Sequence, residues 1–164
     1  MAAVKSGAEA EIARLARRHS TATVLYHHAM AEHLGLGPSD HKCLDLLAQH
    51  PGITGSRLAA MTGLTTGAVT GVVNRLEQHG FVRREADPAD GRRQLLQPVP
   101  ERMTEVAAAF ASYGPSTAEL LAGMGAREVA AVRTFLARAA DQLEQRATLL
   151  RAEALKPVPW EENR

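Results

Sequence analysis

Apolar residues recur at three- and four-residue steps along most of this chain, and the rhythm changes at one place only. Ile12, Leu15, His19, Ala22, Tyr26, Ala29 and His33 share one face of a helix predicted to run from about Ala8 to Leu34. Leu34-Gly35-Leu36-Gly37-Pro38 ends it, and Pro38 suits the first turn of a second helix that reaches about His50. Cys43, Leu44 and Leu47 make the inward stripe of that helix, and Pro51-Gly52 stops it. Two shorter helices follow. Thr54 is the expected N-cap of Gly55–Thr62, Gly63 makes the turn, and Thr65 caps a helix to about His79 that Gly80 closes. The period then becomes that of strands. Phe81–Glu85 reads as a strand, Ala86–Gly91 as a turn, and Arg92–Val99 as a return strand, with Pro98 and Pro100 ending it or placing it at an edge. The helical period returns from about Glu101 to Glu153, broken at Gly114-Pro115 and Gly123-Met124-Gly125. Its last helix carries the stripe Val129, Val132, Phe135 or Leu136, Ala139, Leu143 and Leu150, and the tail from Lys156 is expected to fray.

The segment Leu58–Arg75, LAAMTGLTTGAVTGVVNR, has the spacing of a helix-turn-helix. Ala59 lets the two helices approach, Gly63 tolerates a left-handed turn, and Val69 anchors the second helix, with Leu64, Val72 and Val73 beside it. The outward face of that second helix is Thr66, Gly67, Thr70, Gly71 and Asn74. These side chains are small and polar enough to enter a DNA major groove, where Thr and Asn can bond phosphates or base edges. Each glycine costs roughly 1 kcal/mol relative to Ala in a helix interior, which close backbone approach to DNA would explain.

The hairpin that follows carries Arg83, Arg84, Arg92 and Arg93 against Glu85, Asp87 and Asp90. Arginines at a hairpin tip can enter a minor groove, where the potential is most negative. Asp90 stands two residues before Arg92 and is predicted to hold its guanidinium by a bidentate pair.

Composition narrows the classes. The hydrophobic fraction of 45% in 164 residues supports a folded core, and an aromatic fraction of 4% points to many close-packed helices. The formal net charge is only +1, so any nucleic-acid footprint must be local. A single cysteine, Cys43, rules out an internal disulfide framework and a Cys-based zinc site, and its place on an apolar stripe predicts a buried, inert thiol. There is no run long and apolar enough for a membrane span and no signal-peptide core at the N-terminus, so a soluble, cytoplasmic protein is expected.

The stretch LAAMTGLTTGAVTGVVNRLEQHGFVRREADPADGRR, Leu58 to Arg93, resembles the MarR family of bacterial winged-helix regulators, most specifically in VNRLEQHGFVRR followed by DPADGRR. The resemblance implies a mainly α fold with a small β-hairpin wing: an N-terminal dimerisation helix (1–37), a winged helix-turn-helix (38–100) and C-terminal dimerisation helices (101–164). It implies a homodimer on double-stranded DNA. Asp90 and Arg92 match the family's Asp-x-Arg wing motif, Thr66, Thr70 and Asn74 fall on its reading helix, and Arg75 on a commonly basic position beside the DNA backbone. The expected DNA-binding set is therefore Thr65, Thr66, Gly67, Thr70, Gly71, Asn74, Arg75, Arg84, Asp90, Arg92 and Arg93. The text QLLQPVPERMTE departs from the family's usual apolar strand and Thr-Pro-Glu helix start.

A symmetric dimer would set two reading helices roughly 34 Å apart and read a palindrome. The function expected is a transcriptional regulator, a repressor released by a small aromatic effector that binds near Tyr26, His27 and His41. The alternatives are a metal- or redox-sensing regulator of the same fold, or a helical interaction scaffold that binds no DNA. No metal site and no cofactor are expected, since adjacent His27 and His28 point about 100° apart on a helix. Nor is an enzyme, because the chain shows no phosphate-binding glycine loop, no nucleophile triad and no paired carboxylates.

Overall fold

The computed structural model describes residues 2–114 and 116–154; the expected break at Pro115 and the tail from Lys156 lie outside them. The chain divides into two compact units, Met1–Tyr113 and Gly114–Arg164.

In the first unit, helix α1 (Ala2–His33) ends where Gly35 turns left-handed at φ +69 and the Leu36 amide donates back to the Ala31 carbonyl at 2.8 Å. Helix α2 (Pro38–Gln49) begins on a proline, with Asp40 in its first turn, where the helix dipole favours a carboxylate. Strand β1 (Ile53–Thr54) leads into α3 (Gly55–Thr62), whose first turn is capped by the Thr54 hydroxyl, accepting from the Arg57 amide at 3.2 Å. Gly63 makes the turn at φ +74, and the Thr65 hydroxyl caps α4 (Thr66–Gln78) by accepting from the Ala68 amide at 3.2 Å. Val69, Val72, Val73 and Leu76 bury the inner face of α4 at steps of three, one and three, the stripe of an amphipathic helix.

Gly80, at φ +72, turns the chain into β2 (Val82–Ala86), which pairs antiparallel with β3 (Gln94–Pro98) before α5 (Pro100–Ser112). The sheet has three strands in the order β1-β3-β2, one more than the expected hairpin. β1 pairs Ile53 with Leu96 and Thr54 with Leu95, and is too short to show an alternating pattern. Pro98 does not break β3: it is the last residue of the strand, opposite Val82, and β1 reaches only Leu95 and Leu96. The core joins Leu44 and Leu47 of α2, Leu58 of α3, the α4 stripe, Phe81, Val82 and Leu96, so α4 and the β2–β3 hairpin stand on one packed base.

Of the predicted stripe of α1 only Tyr26 is half-buried, and Ile12, Leu15, His19, Ala22, Ala29 and His33 are exposed. Met30 and Ala31, one and two positions past Ala29, are the α1 residues that are buried, while Ile12 and Leu15 are 48% and 44% exposed. The second unit holds a short α6 (Thr117–Leu120), started by a Ser116–Glu119 capping box, and the long α7 (Ala126–Ala154). On α7, Phe135, Leu136, Leu143 and Leu150 are exposed, whereas Val129, Val132 and Ala139 are half-buried.

Candidate nucleic-acid interface

Helix α4 turns one face outward because its four apolar anchors occupy the other. Thr66, Gly67, Thr70 and Asn74 are exposed, and Gly71 is half-buried. A Cβ built on Gly67 would meet nothing within 4 Å, and one on Gly71 only the end of the Arg75 side chain at 3.5 Å. Packing within the chain therefore requires neither glycine, although each lowers helix propensity.

The basic residues divide into tethered and free. The Arg75 guanidinium donates twice to buried Asp40, Nε to Oδ2 at 2.8 Å and Nη2 to Oδ1 at 2.6 Å. This bidentate pair ties α4 to the start of α2, and the Asp40 carboxylate holds the guanidinium pKa above its ordinary value. Arg84 lies on β2 and reaches back to α4, donating to Asn74 Oδ1 at 2.6 Å and to Glu77 Oε2. Arg83 pairs with Glu85 on its own strand.

At the wing tip the expected Asp90–Arg92 side-chain pair does not form. Asp90 Oδ1 instead accepts from the Arg92 backbone N–H at 3.2 Å, and Asp90 Oδ2 lies 3.4 Å from Arg93 Nε. The turn that carries the Arg93 amide to the Asp90 carbonyl at 2.8 Å brings residue i+3, not i+2, back beside the carboxylate. Asp90 thus shapes the turn, and among the described residues nothing pairs with the Arg92 guanidinium. Thr66, Thr70, Arg84, Arg92 and Arg93 share the walls of an open cleft of about 600 Å³ with Ser56 at the start of α3. Ser56 and Asp40 were absent from the sequence-derived set. Asp40 had no local signal, since its partner is 35 residues away.

The residues expected to hold an effector do meet. Ring centroids of His27 and His41 stand 5.3 Å apart, those of Tyr26 and His27 5.8 Å, and Phe110 of α5 joins all three. The adjoining cavity, lined by His41, Leu44, Asp45, Val106 and Phe110, holds about 40 Å³. Burial lowers the His41 pKa, and the neighbouring His27 and Lys42 charges push the same way against Asp45. The unfolded chain then takes up that proton first, so this part of the stability is complete above the ordinary value of 6.5 and falls as pH drops through it. Thermal unfolding from about pH 7 to about pH 5 should show a steeper loss in the native chain than in His41→Phe; equal slopes would contradict this. Among the described residues no cluster of three or more metal-ligating side chains occurs.

Cys43 is buried in the core, and burial, reinforced by Asp40, raises its thiol pKa to about 11. A thiol of that pKa is almost wholly protonated at neutral pH and reacts slowly. A disulfide reagent should label Cys43 only as the protein unfolds, and rapid labelling of the native state would contradict its burial.

A family model described as MarR family matches residues 34–93. The chain is 37% identical over 141 residues to the uncharacterized HTH-type transcriptional regulator YcgE of Bacillus subtilis (strain 168), covering 86% of this chain and 92% of that protein. The chain belongs to the MarR family. Solved MarR-type structures share its fold. A MarR family protein from Bacillus stearothermophilus aligns with a TM-score of 0.64 at 16% identity, over 82% of this chain and 94% of that one. A MepR variant from S. aureus, bound to an oligodeoxyribonucleotide, aligns with a TM-score of 0.55 at 19% identity, over 80% and 97%. Membership of the MarR family makes the chain a DNA-binding transcriptional regulator and not an enzyme. No helix among the described residues is long and apolar enough to cross a membrane.

Proposed function

We propose that this MarR-family chain represses transcription by binding a palindromic operator as a homodimer, and that a small ligand releases it. Helix α4 enters the major groove with Thr66, Gly67, Thr70, Gly71 and Asn74 outward, while Thr65 and the wing residues Arg92 and Arg93 meet the phosphates and the adjacent minor groove. The observation that carries this reading is the small-residue face of α4, with Gly67 opening on empty space, beside an Arg92 guanidinium that nothing among the described residues engages. Arg75 and Arg84, tethered to acidic partners, position the helix, and Asp90 shapes the wing turn. The oligonucleotide on the related MepR variant supports the same use of the fold.

A second copy is called for by apolar side chains that the chain leaves uncovered: Ile12 and Leu15 on α1, and Phe135, Leu136 and Leu143 on α7. The effector's place is the Tyr26–His27–His41–Phe110 cluster. Its cavity of about 40 Å³ is well below the ~150 Å³ that accommodates benzene in an apolar core. An aromatic ligand therefore enters only by displacing Phe110, which would shift α5 and strain the base on which the wing stands. Sedimentation of the chain with a duplex from its own upstream region tests the assembly: two chains per duplex are expected, and one chain per duplex, or none, would contradict it.

A further inference from the structure

Hydrogen bonds within the chain decide which polar atoms the α4 face can offer to a base. The Thr70 hydroxyl donates its proton to the Thr66 carbonyl at 2.9 Å, so only its lone pairs remain for an outside partner. Asn74 is constrained in the opposite sense. A guanidinium has donors and no acceptor, so the Asn74 atom 2.6 Å from Arg84 Nη2 is its oxygen, and the side-chain NH2 is the end left to act. The other arm of Arg84 is held by Glu77, one turn along the same helix, which keeps the guanidinium from swinging away. Among the described residues nothing accepts a bond from Asn74 Nδ2.

This matters because asparagine reads adenine with both ends of its amide, the oxygen taking N6–H and the nitrogen giving to N7. The cationic donor occupies one of the two lone pairs of the Asn74 oxygen, draws electron density from it and fixes its direction, which weakens it as an acceptor for a second proton. We propose that Arg84 is a specificity-positioning residue: by holding Asn74 Oδ1 it turns Asn74 from an adenine reader into a donor directed at guanine, whose O6 and N7 are adjacent acceptors. Thr70, one turn earlier, presents an acceptor and selects a base with an amino group in the major groove, cytosine or adenine. The inference rests on α4 being the reading helix, as proposed above, and adds the polarity with which it reads.

Selection of bound duplexes from a random pool, with the full chain and its Arg84→Met variant, tests it. The native chain should enrich guanine over adenine at one position of each half-site by about fivefold or more, the lower end of a good base contact. Arg84→Met frees Oδ1, and the ratio at that position should move toward adenine by a similar factor. Identical base preferences for the two proteins would overturn the proposal. If Arg84→Met does not fold, Asn74→Asp carries the test, since it keeps an oxygen for Arg84 and replaces the donors by an acceptor. It should exchange guanine for cytosine, and an unchanged preference for guanine would overturn the proposal equally. A native chain that enriches no sequence at all would remove the reading-helix assignment itself, whereas native enrichment with unaffected variants would remove only the role of Arg84.

Discussion

Arg92→Ala should weaken operator binding by at least ~30-fold while leaving the fold and the dimer intact. The estimate takes about 1 kcal/mol or more for each lost arginine contact, made twice in a symmetric complex. Two features of the wing make Arg92 the residue to choose. Among the described residues its guanidinium carries no partner, so its removal breaks no contact among them, and the turn that presents it is held by the Arg92 and Arg93 amides, which donate to the Asp90 side chain and carbonyl. The salt dependence of binding should also become shallower, by about one per arginine removed. Circular dichroism and sedimentation would establish that the variant is otherwise native, and anisotropy on a labelled duplex would read the affinity. Unchanged affinity would contradict the placement of the wing on DNA.

Phe81→Ala should be the most damaging single change to stability, lowering the unfolding free energy by about 3–5 kcal/mol, the usual range for a fully buried phenylalanine. That is a large share of the ~5–15 kcal/mol that holds an ordinary domain together. Phe81 is 1% exposed and sits where α4 hands over to the wing. Its amide donates to the Leu76 carbonyl at 2.9 Å, its carbonyl accepts from Val99 at 2.9 Å, and the Arg102 guanidinium of α5 lies over its ring at 4.3 Å. The end of α4, the β2–β3 hairpin and α5 thus meet at one residue, whose ring is buried in the core. Chemical denaturation should show the loss, with Phe81→Leu retaining most of the stability. A cost below about 1 kcal/mol would show that the ring is not part of this core.

What the sequence disclosed and what it withheld follow from the range of the interactions involved. The caps at Thr54 and Thr65 and the left-handed glycines at 63 and 80 are local, each a matter of a residue and its next three or four neighbours, and the structure has all four. The anchors of α4 follow from period alone. β1 was missed because two residues carry no period, and it exists only because Leu95 and Leu96 pair with it from some forty positions away. The partner of Asp90 was misassigned by one residue, since a reading of spacing takes the nearest arginine while the turn returns Arg93. The two contacts that tether basic residues to other elements, Arg75 to Asp40 and Arg84 to Asn74, join distant positions and leave no mark on local spacing. On the proposed reading they separate arginines that position α4 from Arg92 at the hairpin tip. The inward face of α1 was misread for a similar reason: Met30 and Ala31 are selected by what lies beneath them, not by the helix's own pattern.

The central claim is that α4 and the wing contact the phosphates and base edges of duplex DNA. Its most direct test is the affinity of the purified chain for duplexes selected from a random pool, measured by anisotropy across a series of salt concentrations. The account predicts tight binding to a palindrome whose half-sites lie about one helical turn apart, with the logarithm of the affinity falling steeply and linearly with the logarithm of salt. Binding that ignores salt, or a pool that yields no enriched sequence, would contradict it.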